Sequence, residues 1–316
     1  MSDSDIEGHP RYFLRWQAAL CGLIIVTPFA IALYFIKKFK AEPLYLDDLW
    51  KSQWRKLNPR WLLCYRALAF ICTTLILSKT VASGGADSFY FYTQWTFTLV
   101  TVYFALGSII SAYGWLVCSN GPPSVNGAMK RDVEEASDMM GDSLTSGEKE
   151  VRGKTKLQSQ YAEEVIQQRA GFWGYLMQIL YQTCGGAVVL TDIVNWCVLV
   201  PFSSGPVDLL GVCTHTLNAV FLLLDTVLNS MPFPWFRFAY FALWSCLYIS
   251  FQWVVHACCI SWWPYDFLQL NTPWAPLWYF ALSLAHIPCY GIYALIVKAK
   301  NSILPRLFPN AFLRPC

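Results

Sequence analysis

The stretch VDLLGVCTHTLNAVFLLLDTVLNSM, residues 207–231, decides the fold class of this protein. It is long and apolar enough to cross the hydrocarbon core of a bilayer as one helix. It also carries His215, Asn218 and Asp225, whose spacings of three and seven residues place them on one face of that helix. Ionisable groups at membrane depth are costly and by default face the interior of a helix bundle. The stretch therefore predicts a membrane helix with a polar face turned towards other helices.

The composition of the whole chain also indicates a membrane protein. Of its 316 residues, 56% are apolar and only 14% are charged, against about 25% charged in soluble domains. The net charge of +3 is small and no basic run is interleaved with aromatic residues, so we expect no nucleic acid partner. The twelve cysteines form no CxxC pair and no zinc-type set with histidine. We predict no cofactor.

Seven runs of the sequence are long and apolar enough to be membrane spans. They lie at residues 16–36, 61–81, 89–117, 172–200, 207–231, 235–260 and 274–297. These runs predict an all-α, polytopic membrane helix bundle with seven transmembrane helices. The domain organisation follows as a first membrane part at 1–119, a polar and partly disordered loop at 120–170, a second membrane part at 171–300 and a tail at 301–316.

The loop charges predict the orientation of the bundle. Most of the 23 lysines and arginines fall in the loops on one side of the predicted spans and in the tail. Basic loops stay in the cytosol, so we expect an exterior or lumenal N-terminus, a cytosolic C-terminus and a cytosolic loop 120–170. The sequence leaves open whether the protein resides in the plasma membrane or in an endomembrane.

A helix rises about 1.5 Å per residue, so the position of a residue in its span gives its depth in the membrane. By this measure the polar residues of the spans concentrate in the exterior half. This half holds Thr93, Gln94, Asp192, Asn195, His215, Asn218 and His256. Asp192 and His215 fall at matching depth, and a carboxylate that orients an imidazole is the pairing that general-base chemistry uses. The alternative is that these side chains hydrogen-bond between helices only to hold the bundle together.

Asp225 lies instead near the cytosolic end of the fifth span. We expect it to cap that helix or to pair with Arg237 or another interfacial cation. Histidine and carboxylate side chains suit several divalent ions, but no two of them have ligand spacing on one helix, so we predict no metal site. The chain also lacks the GxSxG, HExxH, P-loop and GxGxxG motifs of soluble enzymes.

Short motifs in several spans resemble one family of membrane proteins. They are Tyr92-Thr93-Gln94-Trp95, Thr214-His215-Thr216-Leu217-Asn218, and Trp253-Val254-Val255-His256 followed by Trp263-Pro264-Tyr265. These motifs resemble the family of the androgen-induced gene product and the androgen-dependent TFPI-regulating protein. The segment Trp61-Leu62-Leu63-Cys64-Tyr65-Arg66, taken with Asp225, is more similar to the Rolling stone-like and uncharacterised plant multipass branch. The resemblance covers residues 60–270 apart from the polar loop.

The resemblance implies an intramembrane hydrolase that cleaves fatty acid esters of hydroxy fatty acids with a threonine and a histidine on neighbouring helices. Thr93 falls at the nucleophile position. His215 is then the expected base, oriented by Asp192 or His256, and the expected oxyanion donors are Gln94 and Asn218. A threonine hydroxyl needs such an adjacent base to become nucleophilic. The expected substrate is a lipid drawn from the bilayer.

The sequence departs from the hydrolase pattern at Asn218. The enzymes carry two histidines three residues apart in this motif and use the second, whereas this chain keeps the first as His215 and has an amide at the second position. An amide is not a general base. Either His215 or His256 acts as the base, or this branch has lost hydrolysis and is a non-enzymatic protein of signalling, adhesion or cell fusion. A seven-helix receptor is a weaker alternative, because the chain lacks Asp-Arg-Tyr after the third span and Asn-Pro-x-x-Tyr in the seventh.

Overall fold

The protein is a bundle of long helices. The computed structural model describes residues 12–39, 43–119, 169–202 and 208–312, and within these ranges the chain forms no strand, only isolated bridges. The helices that position the site are α1 (Trp16–Lys38), α2 (Asp47–Trp50), α3 (Pro59–Gly84), α4 (Tyr92–Ser119), α5 (Phe172–Val194), α6 (Leu209–Leu228), α7 (Phe238–Cys258) and α8 (Ala275–Leu307). Nearly all of the predicted polar loop 120–170 lies outside the described residues.

Seven of these helices, all except α2, are long and apolar enough to cross a membrane. The predicted all-α architecture with seven transmembrane helices is therefore confirmed. The largest difference from the predicted spans is at α8, which continues to Leu307 instead of ending at 297. The charged residues after 297 end the apolar run but not the helix, because Lys300 turns inward and donates to the carbonyl of Asn229 at 2.9 Å.

The ends of α3 show how local chemistry sets the helix limits. The side chain of Asn58 accepts the backbone N–H of Arg60 at 3.0 Å, and Pro59 occupies the first helical position, where no N–H is needed. At the other end Gly85 adopts a φ of 63°, which favours glycine over residues with a Cβ. A 3-10 turn, Gly85–Tyr90, then leads into α4, so this helix begins at Tyr92 and not at the predicted residue 89.

Helix α5 lies in the middle of the bundle. It contacts α4 and α6 on one side and α7 and α8 on the other, while α1 packs on α7 and α8, and α3 packs on α4 and α6. Two glycines allow this close packing. A Cβ added at Gly185 would lie 2.7 Å from a ring carbon of Tyr293, and one added at Gly186 would lie 2.5 Å from a ring carbon of Phe241. Small residues at such positions let membrane helices approach each other closely.

Substitution of Gly186 by alanine should destabilise the bundle by about 1–3 kcal/mol, because the new methyl group overlaps the fully buried ring of Phe241. The measurement is the midpoint of unfolding as SDS is titrated into the detergent-solubilised protein. Gly291→Ala in α8 is the matched control, since nothing lies within 4 Å of a Cβ there and helix propensity alone should be neutral to favourable by up to about 1 kcal/mol. Equal midpoints for the two variants would contradict the packing role of Gly186.

Basic side chains cluster at one end of the bundle. The segment 43–57 joins several helix ends, since Ser52 Oγ donates to the carbonyl of Leu228 at 2.7 Å and the N–H of Arg55 donates to the carbonyl of Ala311 at 2.8 Å. We call the end of the bundle that contains this segment the basic end. Its described cations include Lys37, Lys38, Lys51, Arg55, Lys56, Arg60, Arg169, Lys298 and Arg306. At the opposite end the hydroxyl of Tyr12 accepts the indole N–H of Trp263 and the backbone N–H of Leu270.

A buried ion pair lies within the basic half of the bundle. The Nε atom of Arg66 in α3 donates to Asp225 in α6 at 2.8 Å, and both side chains are 0% exposed. Tyr103 and Asn229 also donate to this carboxylate, while Nη1 of Arg66 donates to the carbonyl of Leu49 and to Ser111. Of the roles predicted for Asp225, the pairing with Arg237 is therefore wrong. The partner is Arg66, which lies inside the predicted span 61–81, and the two buried charges compensate each other.

Candidate functional site

A mainly apolar cavity lies between five helices, in the half of the bundle away from the basic end. Its volume is about 150 Å³, and its wall is formed by α1, α4, α5, α7, α8 and the segment that joins α7 to α8. Helices α1, α5, α7 and α8 each contribute residues about one turn apart, as α8 does with Tyr279, Leu282, Ser283 and His286. An apolar cavity of this size can hold a benzene-sized group, so it can take part of an acyl chain.

His286 places a hydrogen-bond acceptor in the cavity wall. Its Nδ1 atom lies 2.7 Å from the carbonyl oxygen of Leu282. A carbonyl oxygen only accepts, so Nδ1 carries the proton and Nε2 of the neutral ring is the acceptor. Among the described residues that line the cavity, Nε2 of His286 is the buried polar atom without a hydrogen-bond partner. His286 therefore adds an unsatisfied acceptor to the wall of the cavity.

Thr93 faces the same cavity from the first turn of α4. The hydroxyl of Tyr265 lies beside the side chain and the amide of Thr93 and accepts the backbone N–H of Tyr92 at 3.1 Å. Burial raises the pKa of the Tyr265 phenol, and its contacts with Thr93 and the Tyr92 amide only partly oppose this rise. Tyr265 therefore remains a neutral hydroxyl that can donate. No hydrogen bond joins Thr93 to His286 or to another histidine of the described chain.

Asp192, His215 and Asn218 meet between α5 and α6. Nδ1 of His215 lies 3.3 Å from the Asp192 carboxylate, and the amide of Asn218 donates to the same oxygen at 3.4 Å. The structure therefore brings together three of the six predicted site residues. The next turn, Asn195–Leu199, is a π-helix, a local form that often occurs at functional sites.

This group lies on the side of α5 that faces away from the cavity. Residues 190, 191 and 194 of α5 line the cavity, whereas neither Asp192 nor His215 does. Successive residues are about 100° apart around a helix, so Asp192 lies roughly 150° from the centre of the cavity-lining face. The sequence predicts Thr93 and His215 in the same half of the membrane, the exterior half. In the structure, α5 lies between them.

His256 and Gln94 lie apart from both groups. The ring of His256 stacks on Trp263 with the ring centroids 4.1 Å apart, and its Nδ1 is 3.4 Å from the carbonyl oxygen of Trp262. It contacts neither His215 nor the cavity. Gln94 is next to Thr93 in sequence but does not line the cavity, and its buried amide oxygen has no partner in the described chain.

Two polar residues of the cavity on which the candidate function depends, His286 and Tyr265, were not predicted as site residues. The sequence signal for His286 is the polar stripe Tyr279, Ser283, His286 in α8, a spacing that places them on one helix face. Tyr265 belongs to a loop between two spans, and no periodicity connects it with Thr93. The part of the chain that the structure describes holds no group of three or more metal-ligating side chains.

Comparisons of the chain with protein-family models, with curated proteins and with solved structures found no match. The class of the protein therefore rests on its seven apolar helices, which make it a multipass membrane protein. The candidate function rests on the cavity and on two polar residues in its wall, Thr93 and His286.

Proposed function

We propose that this protein binds a membrane-soluble lipid in the cavity, with the apolar chain against the helix stripes and a hydroxyl or carboxylic acid group at His286. The observation that supports this is the Nε2 atom of His286, a buried acceptor without a partner in the wall of a mainly apolar cavity. A buried acceptor without a donor is unfavourable, so a ligand that supplies the donor gains affinity. The surrounding bilayer is a reservoir of such molecules.

His286→Phe should weaken lipid binding by about tenfold, because the variant keeps an aromatic ring but loses the acceptor of one hydrogen bond. The measurement is covalent labelling of the purified protein by a photoactivatable fatty acid over a range of concentrations. His215→Phe is the matched control, since this histidine lies outside the cavity, and it should label like the wild type. Equal labelling of His286→Phe and the wild type would reject the proposed site.

Ester hydrolysis in the same cavity is the second candidate function, favoured by the observation that Thr93 and His286 both face it. The Thr93 hydroxyl would pass its proton to Nε2 of His286 and form a bond with the ester carbonyl carbon. Tyr265 would donate to the resulting oxyanion. The leaving alkoxide would take the proton back from Nε2, and water would then release the fatty acid from Thr93. The family resemblance supports Thr93 as the nucleophile, whereas the position of His286 favours this histidine over His215 as the base.

The non-enzymatic function predicted from the resemblance to the Rolling stone-like branch differs in one measurable respect. A protein of signalling, adhesion or cell fusion would bind lipid in the cavity without turning it over. Incubation of the purified protein with a fatty acid ester of a hydroxy fatty acid separates the two. Release of free fatty acid supports the hydrolase, while labelling of the cavity without release supports the non-enzymatic function.

A further inference from the structure

A buried arginine begins α7 at the basic end of the bundle. Arg237 closes the short 3-10 turn Trp235–Arg237 and is the N-cap residue of α7. It is 3% exposed, and its Nη1 atom is buried without a hydrogen-bond partner. A buried charge is unfavourable unless an opposite charge or a full set of hydrogen bonds compensates for it. The structure therefore raises the question of which group compensates Arg237.

No carboxylate that the structure describes at this end is paired with Arg237. Asp225 binds Arg66, and Asp47 binds Lys51 at 2.6 Å. Asp48 accepts the backbone N–H of Tyr45 at 3.2 Å. The ionisable groups that interact electrostatically with Arg237 are instead the phenols of Tyr175, Tyr240 and Tyr290, and neutral phenols do not balance a charge.

The backbone and the neighbouring helix add further positive charge. The N-terminus of a helix is the positive end of its dipole, and the first turn of α7 contains no acidic residue. Lys37 and Lys38 lie in the last turn of α1. The end of α1 lies beside the turn of Arg237, because the rings of Phe39 and Trp235 are 5.1 Å apart. A cation at a helix N-terminus has the unfavourable sign, whereas an anion there is stabilised.

We propose that Arg237, the N-terminus of α7 and the two lysines of α1 bind the phosphate group of a net-negative phospholipid. The start of a membrane helix lies at headgroup level, and the exposed Trp235 beside it is typical of that level. A guanidinium bonds phosphate oxygens in pairs. A zwitterionic headgroup also carries a cation, which Lys37 and Lys38 repel. Inorganic phosphate has the same recognition chemistry as the lipid.

The test uses the full-length protein in dodecyl maltoside, a detergent without phosphate. Phosphatidylglycerol, phosphatidylcholine or inorganic phosphate is added, and bound lipid is counted by native mass spectrometry while the melting temperature is recorded. Phosphatidylglycerol should bind most tightly and raise the melting temperature of the wild type. Arg237→Gln should bind it about tenfold more weakly, because it loses a charge-assisted hydrogen bond. An equal effect of inorganic phosphate alone would identify the free ion as the ligand.

Two control variants separate this site from a general effect of charge or folding. Lys298→Gln removes one exposed charge from the same end of the bundle and should leave lipid binding unchanged. Arg237→Gln without lipid should melt at or above the wild-type temperature, because it removes a charge that no described group compensates. Unchanged phosphatidylglycerol binding in Arg237→Gln, equal loss in both variants, or a lower melting temperature of Arg237→Gln without lipid would overturn the proposal.

Discussion

Asp225→Asn is expected to destabilise the protein by about 3–5 kcal/mol, the usual cost of leaving one member of a buried ion pair without its partner. The carboxylate accepts from Arg66, Tyr103 and Asn229 in the interior of the basic half. An amide in its place removes the negative charge that compensates Arg66, which has no exposure to solvent through which to recover hydration. The measurement is the midpoint of SDS-induced unfolding of the detergent-solubilised protein.

Asp47→Asn is the matched control for this prediction. Asp47 pairs with Lys51 at 2.6 Å, but the two side chains are 45% and 49% exposed, so the same substitution should cost less than about 1 kcal/mol. The double variant Arg66→Met with Asp225→Leu should be more stable than Asp225→Asn, because neither charge is then left unpaired. Equal effects of Asp225→Asn and Asp47→Asn would contradict a structural ion pair at Asp225.

Thr93→Ala is expected to lower hydrolysis of a fatty acid ester of a hydroxy fatty acid by at least about a hundredfold, if the cavity is the hydrolase site proposed above. Alanine cannot form the acyl intermediate, while the cavity wall loses only a hydroxyl. The measurement is release of free fatty acid by the purified protein at saturating substrate. Thr93→Ser keeps a hydroxyl at the same position and should retain a large part of the activity.

Thr191→Ala tests whether the effect is specific to Thr93. Thr191 lines the same cavity, but its hydroxyl donates to the carbonyl oxygen of Ala187 at 2.5 Å, so its loss should leave hydrolysis close to the wild type. His286→Phe should reduce hydrolysis and His215→Phe should not. Undiminished hydrolysis in Thr93→Ala would reject the nucleophile. Loss in His215→Phe without loss in His286→Phe would reject the assignment of the base.

The sequence predicts the depth of a side chain in the membrane better than it predicts which other side chains it contacts. Asp192 and His215 were predicted at the same depth, and they do contact each other. Thr93 was predicted in the same half, yet it faces a cavity that Asp192 and His215 do not line. Depth follows from a constant rise along each helix, whereas contact also requires that two side chains point to the same side of a third helix.

Asp225 illustrates the same limit in the basic half. The sequence left open whether Asp225 caps its helix or pairs with a cation, and the structure shows that it pairs with a cation. The sequence did not identify the cation, because Arg66 and Arg237 both lie towards that end of the bundle. Packing of α6 against α3 decides between them and places Arg66 on the carboxylate. The same packing leaves Arg237 beside phenols.

The sequence by itself determined that this protein is a bundle of seven membrane helices. Apolar length, helical rise and the cost of burying charge are properties of single segments, and they need no knowledge of the partner segments. Only the tertiary structure decided that His286 shares a cavity with Thr93 and that α5 separates Thr93 from His215. The rotation of each helix and its choice of neighbours depend on side-chain packing, such as the fit of Tyr293 and Phe241 over Gly185 and Gly186. Such packing is a joint property of segments far apart in the chain.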